Sequence, residues 1–169
     1  MTSAHRPPAR FARRTAVAVL TGAGLVLTPV SAVAHAAEPA SSTQASGYPA
    51  APTPAAQKAV DTAMDQRGKP YEYGGAGPDS YDCSGLTMYA WNAAGVRLPH
   101  SAKQQSTMGT AVARDQLQPG DLVFFYSGPS HVGIYVGNDQ VVHAPESGDV
   151  VKVSDIDAIG SYHSARRVG

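Results

Sequence analysis

Cys83 is the only cysteine in the chain. It follows Asp82 and opens the stretch 83–94, which carries Leu86, Ala90 and Ala93 on one helical face and ends at Gly95. At a helix start the unpaired backbone N–H groups and the helix dipole favour negative charge, so a thiolate is expected to be stabilised there. A thiolate also needs a base, and His131 and His143 lie in strand-like runs of the carboxyl-terminal half. A thiol, an imidazole and a third group that orients the imidazole form the set used in cysteine-nucleophile catalysis. The plainer reading of the same residues is one buried cysteine and two structural histidines.

Strand geometry separates the two readings. With side chains alternating, a two-residue turn at Asn138-Asp139 would pair Val136 with Val141 and put the imidazoles on opposite sheet faces. A three-residue connection, Gly137-Asn138-Asp139, pairs Gly133 with His143 and puts both rings on one face as diagonal neighbours, roughly 7–8 Å apart at the backbone. Gly and Asn suit the positive φ such a loop needs. The same register sends Val132, Ile134 and Val136 to the core.

Other chemistries fit less well. A Cys/His/His zinc site would leave an open position, but no second thiol exists and a helix start serves a thiolate without metal. No metal and no cofactor is therefore expected. The glycine-rich stretch 71–78 is not followed by Gly-Lys-Ser or Gly-Lys-Thr, which excludes a phosphate-binding loop. His100 and His163 read as surface or capping groups, and Tyr89 and Trp91 as helix-packing residues.

The elements that must position these groups change character along the chain. Thr53-Pro54 is a helix start, followed by Ala56, Ala59, Val60, Ala63, Met64 and Arg67 at helical spacing, with Gly68 and Pro70 as stops. Ser101 and Gln104 suggest a capping box for a short third helix ending at Gly109. After the turn Pro119-Gly120, short strand-like runs occupy 122–126, 131–136, 141–144 and 150–153. Short connections favour antiparallel pairing, and helices followed by a strand meander read as α+β.

The chain has 169 residues with 13 basic and 13 acidic side chains, and this balance excludes a polybasic nucleic-acid binder. Arg6, Arg10, Arg13 and Arg14 precede an apolar run over 15–34, and Ala34-His35-Ala36 supplies a small-x-small cleavage pattern. That order predicts a secretory signal over 1–36, cleaved rather than kept as an anchor because glycines and a proline interrupt the run. Arg13-Arg14 leaves the export route open. The mature chain then has nine basic and 13 acidic residues, a net charge of −4. Residues 37–53 read as an Ala/Ser/Pro-rich tether, and 54–169 as one domain. A lone thiol in an exported protein gains nothing from disulfide bonding, which again points to chemistry.

Five motifs occur in order: Tyr71-x-Tyr73-Gly74-Gly75, Asp82-Cys83-Ser84-Gly85-Leu86, Leu117-x-Pro119-Gly120-Asp121-Leu122, His131-Val132-Gly133-Ile134-Tyr135 and Val142-His143-Ala144-Pro145. In that order and spacing the chain resembles the NlpC family of papain-like bacterial cell-wall cysteine peptidases, over nearly everything from residue 55 onward. The resemblance implies a papain-like α+β fold, with amino-terminal helices packed on an antiparallel sheet. It implies Cys83 as nucleophile, His131 as general base and acid, and His143 as the orienting third residue. Tyr71, Asp82 and Ser84 are implied as substrate-binding residues around the nucleophile. They offer a phenol, a carboxylate and a hydroxyl to a substrate ammonium, although Asp82 has a competing use as the helix cap.

The expected activity is that of a secreted, cell-wall-associated cysteine endopeptidase. Its expected partners are peptidoglycan stem peptides, cut at the γ-D-glutamyl–diamino acid bond through a thioester. The alternatives are an acyltransferase or amidase on the related fold, or a non-catalytic wall-binding domain. A monomer with no membrane anchor after signal cleavage is expected, and no wall-binding module is evident before the catalytic domain.

Overall fold

The computed structural model describes residues 47–169. The expected signal, residues 1–36, and residues 37–46 of the expected tether lie outside the described residues.

Helix α1 (Pro54–Met64) begins where Thr53 caps it, its hydroxyl accepting the Ala56 N–H at 3.1 Å. The helix stops at Met64, a turn before the expected glycine. Helix α2 (Cys83–Ala93) and the single turn α3 (Ala102–Gln105) follow, and α3 ends well short of Gly109. Strands β1 (Thr110–Val112), β2 (Leu122–Phe125), β3 (His131–Gly137), β4 (Gln140–His143), β5 (Lys152–Asp155) and β6 (Tyr162–Arg167) form one sheet. A short helix, α4 (Ile156–Ile159), links β5 to β6. The sheet order is β1-β6-β2-β3-β4-β5, with every pair antiparallel. This is the expected α+β arrangement. The edge strand β1, the helix α4 and the inserted β6 went unseen in the sequence, because β1 and β6 are polar and only half-covered.

Alternation in the sheet divides the core in two. Leu122, Phe124, Val132, Ile134, Val136 and Val142 face α1 and α2, where they meet Ala59, Leu86, Ala90 and Trp91. Val123, Phe125 and Val141 face the other way, against Ile156 and Ala165. Strand β2 is thus buried on both faces, which is why it reads as an unbroken apolar run.

The β3–β4 connection gives the expected register by a different device. Ile134 lies opposite Val142 and Tyr135 opposite Val141, then the register slips so that Gly137 faces Gln140. A two-residue turn at Asn138-Asp139, both with φ of 55°, closes the hairpin, and a bulge before it restores the count.

The end of the expected tether is not free. Tyr48 and Ala51 pack on the helix-side core, and Asn138 donates to the Gly47 carbonyl at 3.2 Å. Pro49 sits where Gly137 lacks a side chain, since a Cβ there would lie 2.3 Å from the proline ring. A tyrosine and a proline gave this segment enough apolar surface to dock.

The turn before β2 is locked to the carboxyl terminus. Asp121, 2% exposed, accepts both Nε and Nη2 of Arg167 at 2.8 Å and the Gln118 N–H at 2.8 Å. Arg167→Ala strands this carboxylate and is expected to cost on the order of 3 kcal/mol. The loss should appear as a lower urea midpoint at unchanged slope. An unchanged midpoint would show that Asp121 needs no guanidinium.

Candidate active site

Cys83 occupies the first turn of α2, as its neighbours dictate. Asp82 is the helix cap, its Oδ1 accepting the Gly85 N–H at 2.7 Å. The other donors to this carboxylate are the Gly74 N–H at 2.9 Å, the Ser84 hydroxyl at 3.0 Å and His100 Nε2 at 2.9 Å from both oxygens. A carboxylate only accepts, so His100 must present an N–H. Gly85 lets the glycine-rich loop lie against the helix, because a Cβ there would stand 1.9 Å from the Gly75 carbonyl oxygen. The loop is held by Asp82 N–H to Gly75 O at 2.8 Å and Glu72 N–H to Tyr81 O at 3.0 Å.

The histidines come from the far wall. His131 opens β3 and His143 closes β4, and both are buried. The register places the rings 5.1 Å apart and nearly perpendicular, with His131 Nε2 and His143 Nδ1 2.9 Å apart. His143 Nε2 lies 3.0 Å from the Ser154 hydroxyl on β5. Phe125 and Tyr126 flank His131 at 5.8 and 6.4 Å between ring centres.

The thiol meets the backbone on either side of His131. Its Sγ is 3.9 Å from the Ser130 carbonyl oxygen, and the Val132 N–H also points at it. Among the described residues, none hydrogen-bonds His131 Nδ1, the nitrogen left over once Nε2 faces His143. Tyr71 is close enough that Cys83 and Asp82, after burial itself, hold its phenol protonated above the ordinary range.

The structure thus brings Cys83, His131, His143, Tyr71, Asp82 and Ser84 into one neighbourhood, but not all of them are available to a ligand. Ser84 is buried and gives its hydroxyl to Asp82, and Asp82 is engaged by four donors. Of the three groups suggested for an ammonium, only Tyr71 is left without a hydrogen-bond partner among the described residues. Asp82 and Ser84 build the pocket wall instead. His100 lies at the surface, as expected, but is also a partner of Asp82, a long-range contact with no local sequence signal. Ser154 also escaped notice, because the fourth strand-like run appeared to end at 153. Extending it one residue would have put a hydroxyl on the same face as His143. His163 is exposed, as expected, and Trp91 and Tyr89 pack, Tyr89 edge-on to Tyr81 at 5.3 Å.

The expected stabilised thiolate is not the resting state. Burial pushes the Cys83 thiol up, and the Asp82 carboxylate adds to this against the pull of the Val132, Ser84 and Cys83 N–H groups. Burial lowers His131 to about 4. It lowers His143 to about 3, helped by the charges of His131 and Lys152 and opposed by Asp149. Desolvation outweighs the helix start, and burial favours the neutral form of the thiol and of both imidazoles.

The NlpC/P60 family profile matches residues 68–168, well over half of the chain. The chain belongs to the NlpC/P60 family. It is similar to "Probable endopeptidase Rv2190c" of Mycobacterium tuberculosis, 46% identical over 108 residues that make up 64% of this chain and 28% of that protein. A "Probable endopeptidase" of Corynebacterium glutamicum is 43% identical over 124 residues, 73% of this chain and 57% of its own length. The chain therefore spans less than two thirds of these NlpC/P60 relatives. Among solved structures, the NlpC/p60 domain of the peptidoglycan hydrolase SagA superposes with a TM-score of 0.62 at 32% identity, covering 67% of this chain and 98% of that one. NlpC2 from Trichomonas vaginalis superposes with a TM-score of 0.64 at 30% identity, covering 67% and 46%.

A neutral resting thiol in this NlpC/P60 domain has a measurable signature. The rate of Cys83 alkylation by iodoacetamide should climb about tenfold per pH unit from pH 6 to 8.5, following the thiolate fraction. A plateau beginning near pH 5 would instead reveal a preformed thiolate–imidazolium pair.

Proposed function

We propose that this NlpC/P60 domain is an exported cysteine endopeptidase that hydrolyses peptidoglycan stem peptides at the γ-D-glutamyl–diamino acid bond. The observation that carries this reading is the hydrogen-bonded His131–His143 pair, with Cys83 at the start of α2 touching the backbone on either side of His131. The printed names of the relatives, probable endopeptidases and a peptidoglycan hydrolase, support the substrate class. The basic and apolar order of residues 6–36 supports export.

In the proposed reaction His131 Nδ1 takes the thiol proton as Sγ bonds to the carbonyl carbon. The N–H groups at the start of α2 and the Tyr71 hydroxyl, held protonated, face the negative charge that develops on the carbonyl oxygen. The C–N bond then breaks, and His131 returns its proton to the leaving amine, giving a thioester. Water attacks the thioester, gives one proton to His131, and the displaced sulfur recovers it. Because His131 must touch the leaving nitrogen, the leaving half of the substrate lies on its side. A cleft of about 380 Å³ lies there, lined by His131, His143, Ser130, Glu146, Asp149 and Lys152. Its mixed charges suit an amino acid that carries both an amine and a carboxylate.

Digestion of purified stem peptides, read by product mass, tests the proposal. The wild type should release L-Ala-γ-D-Glu and a fragment that begins with the diamino acid. Cys83→Ala should release neither. His131→Ala should lose about 10²–10⁴-fold, the usual worth of a general base, and His143→Ala should lose less. Full turnover by Cys83→Ala would remove the mechanism, and cuts at another bond would remove the substrate assignment. A greater loss in His143→Ala would reverse the roles of the two histidines. Transfer of the acyl group to an added amine in place of water would mark an acyltransferase.

A further inference from the structure

From the contact between His143 Nε2 and the Ser154 hydroxyl, we propose that Ser154 is a positioning residue whose hydroxyl accepts from His143 Nε2–H, which leaves His131 Nδ1 bare. This rests on the reading of Cys83 and His131 as nucleophile and base.

Two neutral rings joined by one hydrogen bond have two arrangements. In the first, His131 Nε2–H donates to His143 Nδ1, so His131 Nδ1 is bare and His143 carries its proton on Nε2. In the second, His143 Nδ1–H donates to His131 Nε2, so the His131 proton sits on Nδ1 and blocks its use as a base. The arrangements differ at the far end of the chain, where His143 Nε2 lies 3.0 Å from Ser154 Oγ. A hydroxyl accepting there favours the first arrangement, and a hydroxyl donating there favours the second. Only the first leaves His131 Nδ1 free to take a proton. Lowered basicity in both imidazoles, from burial, keeps each ring at one proton and makes the choice between arrangements the relevant one. The same logic governs a Ser-His-Asp triad, in which a carboxylate fixes the tautomer of the base. Here the fixing group acts through an intervening imidazole.

The fold gives Ser154 this position. His143 is paired with Lys152 across the β4–β5 ladder, and Ser154, two residues on, lies diagonally on the same face. The other charged or titratable groups around His143 are His131 on β3, Lys152 on β5, Asp149 and Glu146 in the loop before β5, and Tyr126 after β2. Lys152 is tied to Asp149 at 2.5 Å.

Nitrogen-15 spectra of the imidazoles test the assignment without any substrate, because protonated and bare ring nitrogens differ widely in shift. The wild type should show His143 protonated on Nε2 and His131 bare on Nδ1. A His143 proton on Nδ1 would overturn the proposal outright. Ser154→Ala should mix the two arrangements in the spectrum and lower kcat about tenfold at unchanged KM, the worth of one hydrogen bond. Ser154→Thr, which keeps the hydroxyl, should restore both readouts. Ser154→Asp, an acceptor only, should hold the wild-type tautomers and shift the acid limb of the pH–kcat profile upward, because a carboxylate there favours the imidazolium. Wild-type tautomers together with wild-type kcat in Ser154→Ala would overturn the role. A wild type that cuts no stem peptide yet shows the expected tautomers would defeat the proposed substrate and leave the Ser154 assignment standing.

Discussion

The Asp82 carboxylate is the point on which the site is assembled. It is 8% exposed and surrounded by four donors from three parts of the chain: the first turn of α2, the glycine-rich loop at Gly74, and His100 before α3. A buried charge is costly unless such donors surround it, so each of them is drawn in by the same desolvation penalty. One side chain therefore starts the helix that carries Cys83, holds the loop that carries Tyr71, and fastens the segment between α2 and α3. The Gln105 amide completes that attachment by donating to the carbonyls of Ser84 at 3.1 Å and Pro99 at 2.7 Å.

The opposite wall depends on register rather than charge. Side chains alternate along β3 and β4, so a slip of one residue would send one histidine into the helix-side core and a valine toward the thiol. The bulge before Asn138-Asp139 fixes the count, and two apolar clusters enforce it from both sides. This requirement also explains why His131 and His143 are buried. They stand on the second face of a sheet whose central strand is covered on both sides, so three of their four ring nitrogens find partners in each other and in Ser154, and His131 Nδ1 is the one left over among the described residues.

How far the sequence disclosed this differs from residue to residue. Cys83 at a helix start was legible because Asp82 and Gly95 bracket the helix with local signals, and the face shared by the histidines followed from alternation and turn chemistry. The order of five short motifs disclosed the family. The partners that complete the site were hidden, because each joins residues with no common local pattern. His100 reaches Asp82 across 18 positions, and Ser154 lies one residue past the end of the strand-like run at 150–153. The thiol's shift also runs against its place at a helix start. A helix start favours a thiolate in isolation, but how deeply the group is buried is a tertiary property, and here burial prevails.

That last point bears on how the proposed chemistry is timed. Burial disfavours the thiolate and disfavours the imidazolium, so the two shifts act together against a charge-separated resting pair. Proton transfer from Cys83 to His131 then becomes favourable only when the new negative charge can leave the sulfur. It can do so as the C–S bond forms, because the charge passes to the carbonyl oxygen, which in the proposed reaction the N–H groups at the start of α2 and the Tyr71 hydroxyl would receive. The donors that fail to ionise the free thiol are thus better matched to the tetrahedral intermediate than to the resting enzyme, which is the difference in binding that lowers a barrier. In the proposed chemistry, the same desolvation that disfavours a resting thiolate favours moving its charge onto the carbonyl oxygen of a seated amide.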